Sequence, residues 1–243
     1  MTESLDWRRI THLVFINLFV GGMVGIERTV LPLLAEVEFG IASKTAVLAF
    51  IATFGITKAA VNFFAGTLSE RVGRKRLLVA GWLTGIPVPL ILIWAPNWSW
   101  VLFANILLGV NQALTWSMTV VMKVDLATPR TFGLVIGWNE FAGYTGMAAT
   151  AALTGILATS FGLRPIPFAL GIAIALIGLS LALVAKDTQP PANQAAKTRP
   201  ISMGEALALG TWKDRRLASA SLAGLVTNLK DGALWGLLPL LLA

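Results

Sequence analysis

Gly66-Thr67-Leu68-Ser69-Glu70-Arg71-Val72-Gly73-Arg74-Lys75-Arg76 reads G-x-L-S-E-R-x-G-R-K-R, and it lies between two long apolar runs. Gly66 predicts a close approach at the end of the run before it. Gly73 suits a tight turn with positive φ, which glycine adopts without steric cost. Arg71, Arg74, Lys75 and Arg76 make the segment strongly basic, and Glu70 is placed to meet a helix N-terminus or an arginine.

The rest of the chain explains where such a loop sits. Of the 243 residues, 56% are hydrophobic and 13% charged, and the mean hydropathy is +0.76. Soluble domains carry about 25% charged residues. This surface therefore faces lipid. A hydrocarbon core takes about 20 predominantly apolar helical residues to cross. Seven stretches meet that need: 11–35, 45–68, 77–95, 99–123, 133–160, 166–185 and 217–243. The fold expected is an all-α polytopic membrane protein. The first run is too long for a signal-peptide core and is retained as a span.

Basic residues set the orientation, because cytoplasmic loops carry the excess of Lys and Arg. Arg8, Arg9, Arg71, Arg74, Lys75, Arg76, Lys123, Arg130, Lys186, Lys197, Arg199, Lys213, Arg215 and Arg216 fall on one side, against Lys44 and Arg164 on the other. The N-terminus is therefore expected in the cytoplasm, in a membrane read as the bacterial inner membrane. The net charge of +7 is explained by this bias, and nucleic acid is not expected as a partner. There is no cysteine and one histidine, His12. Thiolate chemistry is excluded, and no metal site, cofactor or enzymatic activity is expected.

Charges inside spans cost at least about 2.5 kcal/mol each, so they must face a partner or a water-filled cavity. They are Glu27 and Arg28 (span one), Lys58 (span two), Glu140 (span five), and Lys230 and Asp231 (span seven). Spans three and six have none and are expected to face lipid. In span four, Asn105, Gly109, Gln112 and Trp116 share a helical stripe, beside Asn111; in span five Gly137, Glu140 and Tyr144 do. At 1.5 Å per residue, Lys58 and Glu140 lie at matching depths of roughly 15 and 12 Å, which makes them a candidate ion pair. Glu27 and Arg28 form an outer cluster, expected to face Lys230 and Asp231. Helix cross-linking by buried pairs is the structural alternative. Charges, amides and aromatics gathered on selected helices favour a polar pathway lined by Glu27, Arg28, Lys58, Asn111, Gln112, Trp116, Glu140, Tyr144, Lys230 and Asp231.

The loop 66–76, placed on the basic side after span two, resembles the signature G-x-L-a-D-R-x-G-R-[RK] of the major facilitator superfamily. Glu70 stands at its acidic position, a conservative departure. The long loop after span six and the charge-free third and sixth spans agree. The resemblance implies a six-helix bundle of two inverted three-helix repeats, with a seventh helix opening a second bundle. The expected organisation is residues 1–186 for the bundle, 187–216 for a cytoplasmic loop and 217–243 for the first helix of the second bundle. The chain reads as a fragment whose partner is the missing C-terminal bundle. The resemblance further implies alternating access, with Gly66, Glu70, Arg71, Gly73, Arg74 and Lys75 as a cytoplasmic gate. A small-molecule substrate, handled as by an efflux permease, and a coupling proton would be the remaining partners besides the bilayer. Asn105 replaces the arginine that many proton-coupled members carry four residues before a glycine, and Gly143-Tyr144-Thr145-Gly146 lacks the proline of the antiporters' Gly-Pro motif. A non-transporting sensor or assembly protein on the same scaffold is the alternative.

Overall fold

The computed structural model describes residues 6–41, 43–189 and 202–242. Among these, all regular structure is helical. The first unit, Met1–Gln189, holds α1 (Trp7–Val37), α2 (Lys44–Val72), α3 (Arg74–Gly85), α4 (Pro87–Trp94), α5 (Trp98–Leu126), α6 (Phe132–Phe161) and α7 (Ile166–Val184). The second, Pro190–Ala243, holds α8 (Met203–Ala208), a π-turn (Leu209–Lys213) and α9 (Arg215–Leu242). The polar stretch 190–201, with Lys197 and Arg199, lies outside the described residues.

Local chemistry sets the helix limits. Asp6 opens α1 by accepting from the Arg9 amide, and Asn97 opens α5 by accepting from the Ser99 amide at 3.1 Å. These side chains satisfy amides that have no partner within the helix. Gly73, at φ +101°, both ends α2 and begins α3, so the predicted turn is present. The third span is broken between Ile86 and Pro87. Proline cannot donate to the helix ladder but is well suited to a first turn, so α4 restarts there. Asp214 opens α9 by accepting from the amides of Arg216 and Leu217.

Among the described residues, six helical stretches are long and apolar enough to cross a membrane: α1, the Leu48–Val72 part of α2, α3 with α4, α5, α6 and α7. The chain is an integral membrane protein. The seventh expected span is helical, as α9, but is not among the stretches of that apolarity.

The core of the first unit is α1, which packs against α5, α6 and α7. Its seam with α6 brings backbone against backbone. A Cβ on Gly21 would lie 1.8 Å from the Gly143 carbonyl oxygen, one on Gly25 2.3 Å from that of Met147, and one on Gly146 1.9 Å from that of Leu18. Small residues at this spacing are how membrane helices gain dispersion contacts without a hydrophobic drive. Thr150 Oγ1 donates to the Gly22 carbonyl and Thr29 Oγ1 to that of Ala151 across the same seam, each at 3.0 Å.

Two expectations are corrected. An added Cβ on Gly66 would meet nothing within 4 Å, so this glycine makes no close approach to the described residues. Spans three and six do more than face lipid: Trp82 of α3 is fully buried, and its indole fills the space where a Cβ on Gly178 of α7 would stand. Of the six stretches, the Leu48–Val72 part of α2 is the least covered.

Candidate functional site

Lys58 is the middle residue of α2. Its Nζ lies 5.3 Å from the ring centre of Trp116 on α5 and 5.7 Å from that of Phe54. Trp116 in turn meets Tyr144 of α6 edge to face at 6.2 Å. Three helices thus bring a cation, an indole and a phenol together near mid-span. Two glycines make this possible. A Cβ on Gly143 would lie 2.4 Å from the Trp116 ring, and one on Gly109 2.8 Å from Thr57, so these positions admit the indole and the close α2–α5 contact. Tyr144 is 40% exposed, and Lys58 and Trp116 are half-buried, so the cluster opens to one side of the unit. One turn along α2, Asn62 accepts from Ser117 at 2.9 Å.

Glu140 lies one turn before Tyr144 and is half-buried. Its Oε1 accepts from Asn139 Nδ2 at 2.7 Å. Lys123, fully buried, acts on Glu140 electrostatically and donates to the Leu13 carbonyl at 3.1 Å. Asn17 continues the network, donating to the Asn139 carbonyl at 2.7 Å and accepting from Thr119 at 3.0 Å. Sequence reading placed Lys123 beside a cytoplasmic loop. It missed the burial because a lysine near a span end usually turns toward water.

Glu27 and Arg28 form a separate buried place. Glu27 is 2% and Arg28 7% exposed. Neither Glu27 oxygen has a hydrogen-bond partner among the described residues, although Asn105 lies beside the carboxyl. The Arg28 guanidinium stands over Phe54 and Phe50, at 5.1 and 5.8 Å, in cation–π geometry.

Asn111 and Gln112 are fully buried and turned into the packing. Asn111 donates to the Gly81 carbonyl of α3 at 2.8 Å, and Gln112 to that of Val20 on α1 at 2.9 Å. The structure does not bring them to the Lys58 cluster. Lys230 and Asp231 belong to the second unit and pair with each other at 2.9 Å.

At the other end of the bundle, Arg74 Nε lies 2.6 Å from Asp125 Oδ2, and Arg74 Nη2 donates to Oδ1 at 3.1 Å. The residues after α7 close over this pair. Thr188 donates to Asp125 at 2.7 Å and Gln189 to the Glu70 carbonyl at 2.6 Å. Arg9 holds the Asp187 carbonyl at 2.9 Å. The loop 66–76 is therefore tied to the end of α5 and to the residues after α7, and Arg9 of α1 holds those same residues.

The described residues of the first unit thus build a helical membrane unit with polar groups at mid-span and a charged clasp at one end. The family model of the Major Facilitator Superfamily matches residues 13–243, and the chain belongs to that family. Multidrug resistance protein 2 of Bacillus subtilis (strain 168) is 27% identical over 179 residues, 73% of this chain and 44% of the relative. Multidrug resistance protein MdtG of Enterobacter lignolyticus (strain SCF1) is 26% identical over 197 residues, 78% of this chain and 46% of the relative. The inward-open xylose transporter XylE from E. coli shares the fold, with a TM-score of 0.61 at 15% identity, covering 93% of this chain and 56% of that one. The chain spans about half the length of the curated relatives it matches.

Proposed function

We propose that this chain forms the first bundle of a secondary transporter that moves a small organic solute by alternating access, in the manner of an efflux permease. The observation that carries this reading is the Lys58–Trp116–Tyr144 cluster, a polar and aromatic surface at mid-span that opens to one side of the unit. Transporter sites lie near the bilayer midplane between bundles, and this cluster has that depth. The organisation proposed is residues 1–186 as the bundle, 187–216 as a linker and 217–243 as the opening of a second bundle. The resemblance to multidrug resistance proteins supports outward movement of amphipathic compounds.

In this reading Lys58, Trp116, Glu140 and Tyr144 line the solute path. Glu27 and Glu140 are the candidate carriers of a coupling proton. Gly66, Glu70, Arg71, Gly73, Arg74 and Lys75 form the gate at the cytoplasmic end, where Arg74 exchanges partners between states. Asn111 and Gln112 hold the bundle together, and Arg28 supports α2 through its aromatic contacts. The membrane is the bacterial inner membrane, with the N-terminus in the cytoplasm.

The test is flux. Full-length protein in vesicles, under an imposed proton gradient, should move an amphipathic fluorescent solute faster than protein-free vesicles. No flux under any imposed ion gradient would sink the transporter reading.

A further inference from the structure

We propose that Glu27, Arg28 and Asn105 hold a small cluster of ordered water between α1, α2 and α5, and that this water is the route by which Glu27 exchanges a proton. The second half rests on the reading of Glu27 as a carrier of the coupling proton; the first half does not. Glu27 and Arg28 follow one another in α1, so their side chains leave the helix about 100° apart. Glu27 lies beside Asn105 of α5, and Arg28 stands over Phe50 and Phe54 of α2. Asn105 donates its amide nitrogen to the Val101 carbonyl at 3.1 Å, which leaves its oxygen over. Both Glu27 oxygens, Asn105 Oδ1, Arg28 Nε and Arg28 Nη1 are buried and have no hydrogen-bond partner among the described residues. Buried polar atoms are nearly always bonded, either to protein or to ordered water.

The kinds of atom decide the ligand. Three are oxygens and two are N–H donors. A metal cation would find the oxygens but would stand close to the guanidinium, with like charges poorly screened. An anion would find the donors but would meet the carboxylate. Water both gives and takes hydrogen bonds, and a buried water makes about three of them, so about two waters would satisfy this set. The same water gives Glu27 a proton path. The Glu27 O–H bond breaks toward the adjoining water, which takes that proton and passes one of its own onward. The carboxylate left behind lies in the field of Arg28. Uptake reverses these steps.

The test exposes full-length protein in lipid nanodiscs to a microsecond X-ray pulse. The pulse makes hydroxyl radicals wherever water is bound, and mass spectrometry reads the oxidised side chains. Phe50 and Phe54 are buried, yet they should be oxidised several-fold faster than Phe168, an equally buried ring of α7. Asn105→Leu should remove most of that difference. Should it fold poorly, Asn105→Val serves in its place, with the same loss expected. Oxidation of Phe50 and Phe54 no faster than that of Phe168 would overturn the water site. So would oxidation unchanged in the variant, since bulk water would then be reaching the rings. In vesicles the same variant should slow proton-driven flux more than downhill exchange of solute. Equal slowing of the two, or no slowing, would overturn the proton route. A wild-type protein that moves no solute removes the transport reading and the proton route with it, while the oxidation pattern decides the water site by itself.

Discussion

Arg74 and Asp125, 51 positions apart in the chain, meet through two contacts at 2.6 and 3.1 Å. The pair ties the turn after α2 to the end of α5, and Thr188 joins it from beyond α7. An Arg74→Ala change should cost about 1–3 kcal/mol of stability, because the two side chains are only 12% and 15% exposed and Asp125 loses a charged donor. Its effect on flux should be much larger. The exchanged pair Arg74→Asp with Asp125→Arg should recover part of that flux in vesicles. No recovery at all would mean that the partnership is not what the gate uses.

The α1–α6 seam makes a steric prediction. Gly21→Ala and Gly146→Ala place a methyl group within 2 Å of a carbonyl oxygen. Each should destabilise the protein by about 1–3 kcal/mol or more, the cost of overpacking. Gly137→Ala, where an added Cβ meets nothing within 4 Å, should leave stability unchanged or slightly raised. Thermal unfolding in detergent reads all three.

For Lys58 and Glu140, the proposed pairing predicts a non-additive cycle. The double variant Lys58→Met with Glu140→Leu should be more stable than either single variant, since a lone buried charge is the costly state. Strictly additive losses would place the two residues in separate environments.

Glu27→Gln should leave thermal stability equal or higher, because it removes a buried carboxyl whose oxygens have no hydrogen-bond partner among the described residues. If Glu27 carries the coupling proton, the same change flattens the dependence of flux on pH. A full pH dependence in both Glu27→Gln and Glu140→Gln would remove both from that role.

Asn111→Leu removes one of the two side-chain donors of the Gly81 carbonyl, the other being Thr84 Oγ1, and takes from Gln112 Nε2 its acceptor on Asn111. Its cost should be about 1–3 kcal/mol of stability. The ranking of solutes by affinity should not change, since this side chain is turned toward α3. A changed ranking would return Asn111 to the solute path.

How far the sequence could be read follows a physical line. Apolar length, glycine punctuation and capping side chains are local, and they foretold six of the spans and the turn at Gly73. Helical spacing also put Trp116 and Tyr144 on polar stripes of their own helices, and these do converge. Spacing cannot say which neighbour a stripe faces. Asn111 and Gln112 sit among polar positions of α5, yet each is rotated onto a different backbone. Lys123 counted as a loop-side charge, and only the packing of α1 over it shows that it is buried. The Arg74–Asp125 contact had no local signal, because its partners come from separate spans.

Where α1 and α6 touch, carbonyl oxygens press directly on glycine Cα positions. At those glycines the joint has no side chain to re-rotamerise and so no cushion for sliding, and the hydroxyls of Thr29 and Thr150 tie it further. In the proposed cycle α1 and α6 would then travel as a welded block. Whatever pivot serves a transport cycle must then lie at the rim of that block, in contacts made of flexible side chains such as the Arg74–Asp125 clasp, rather than through its centre.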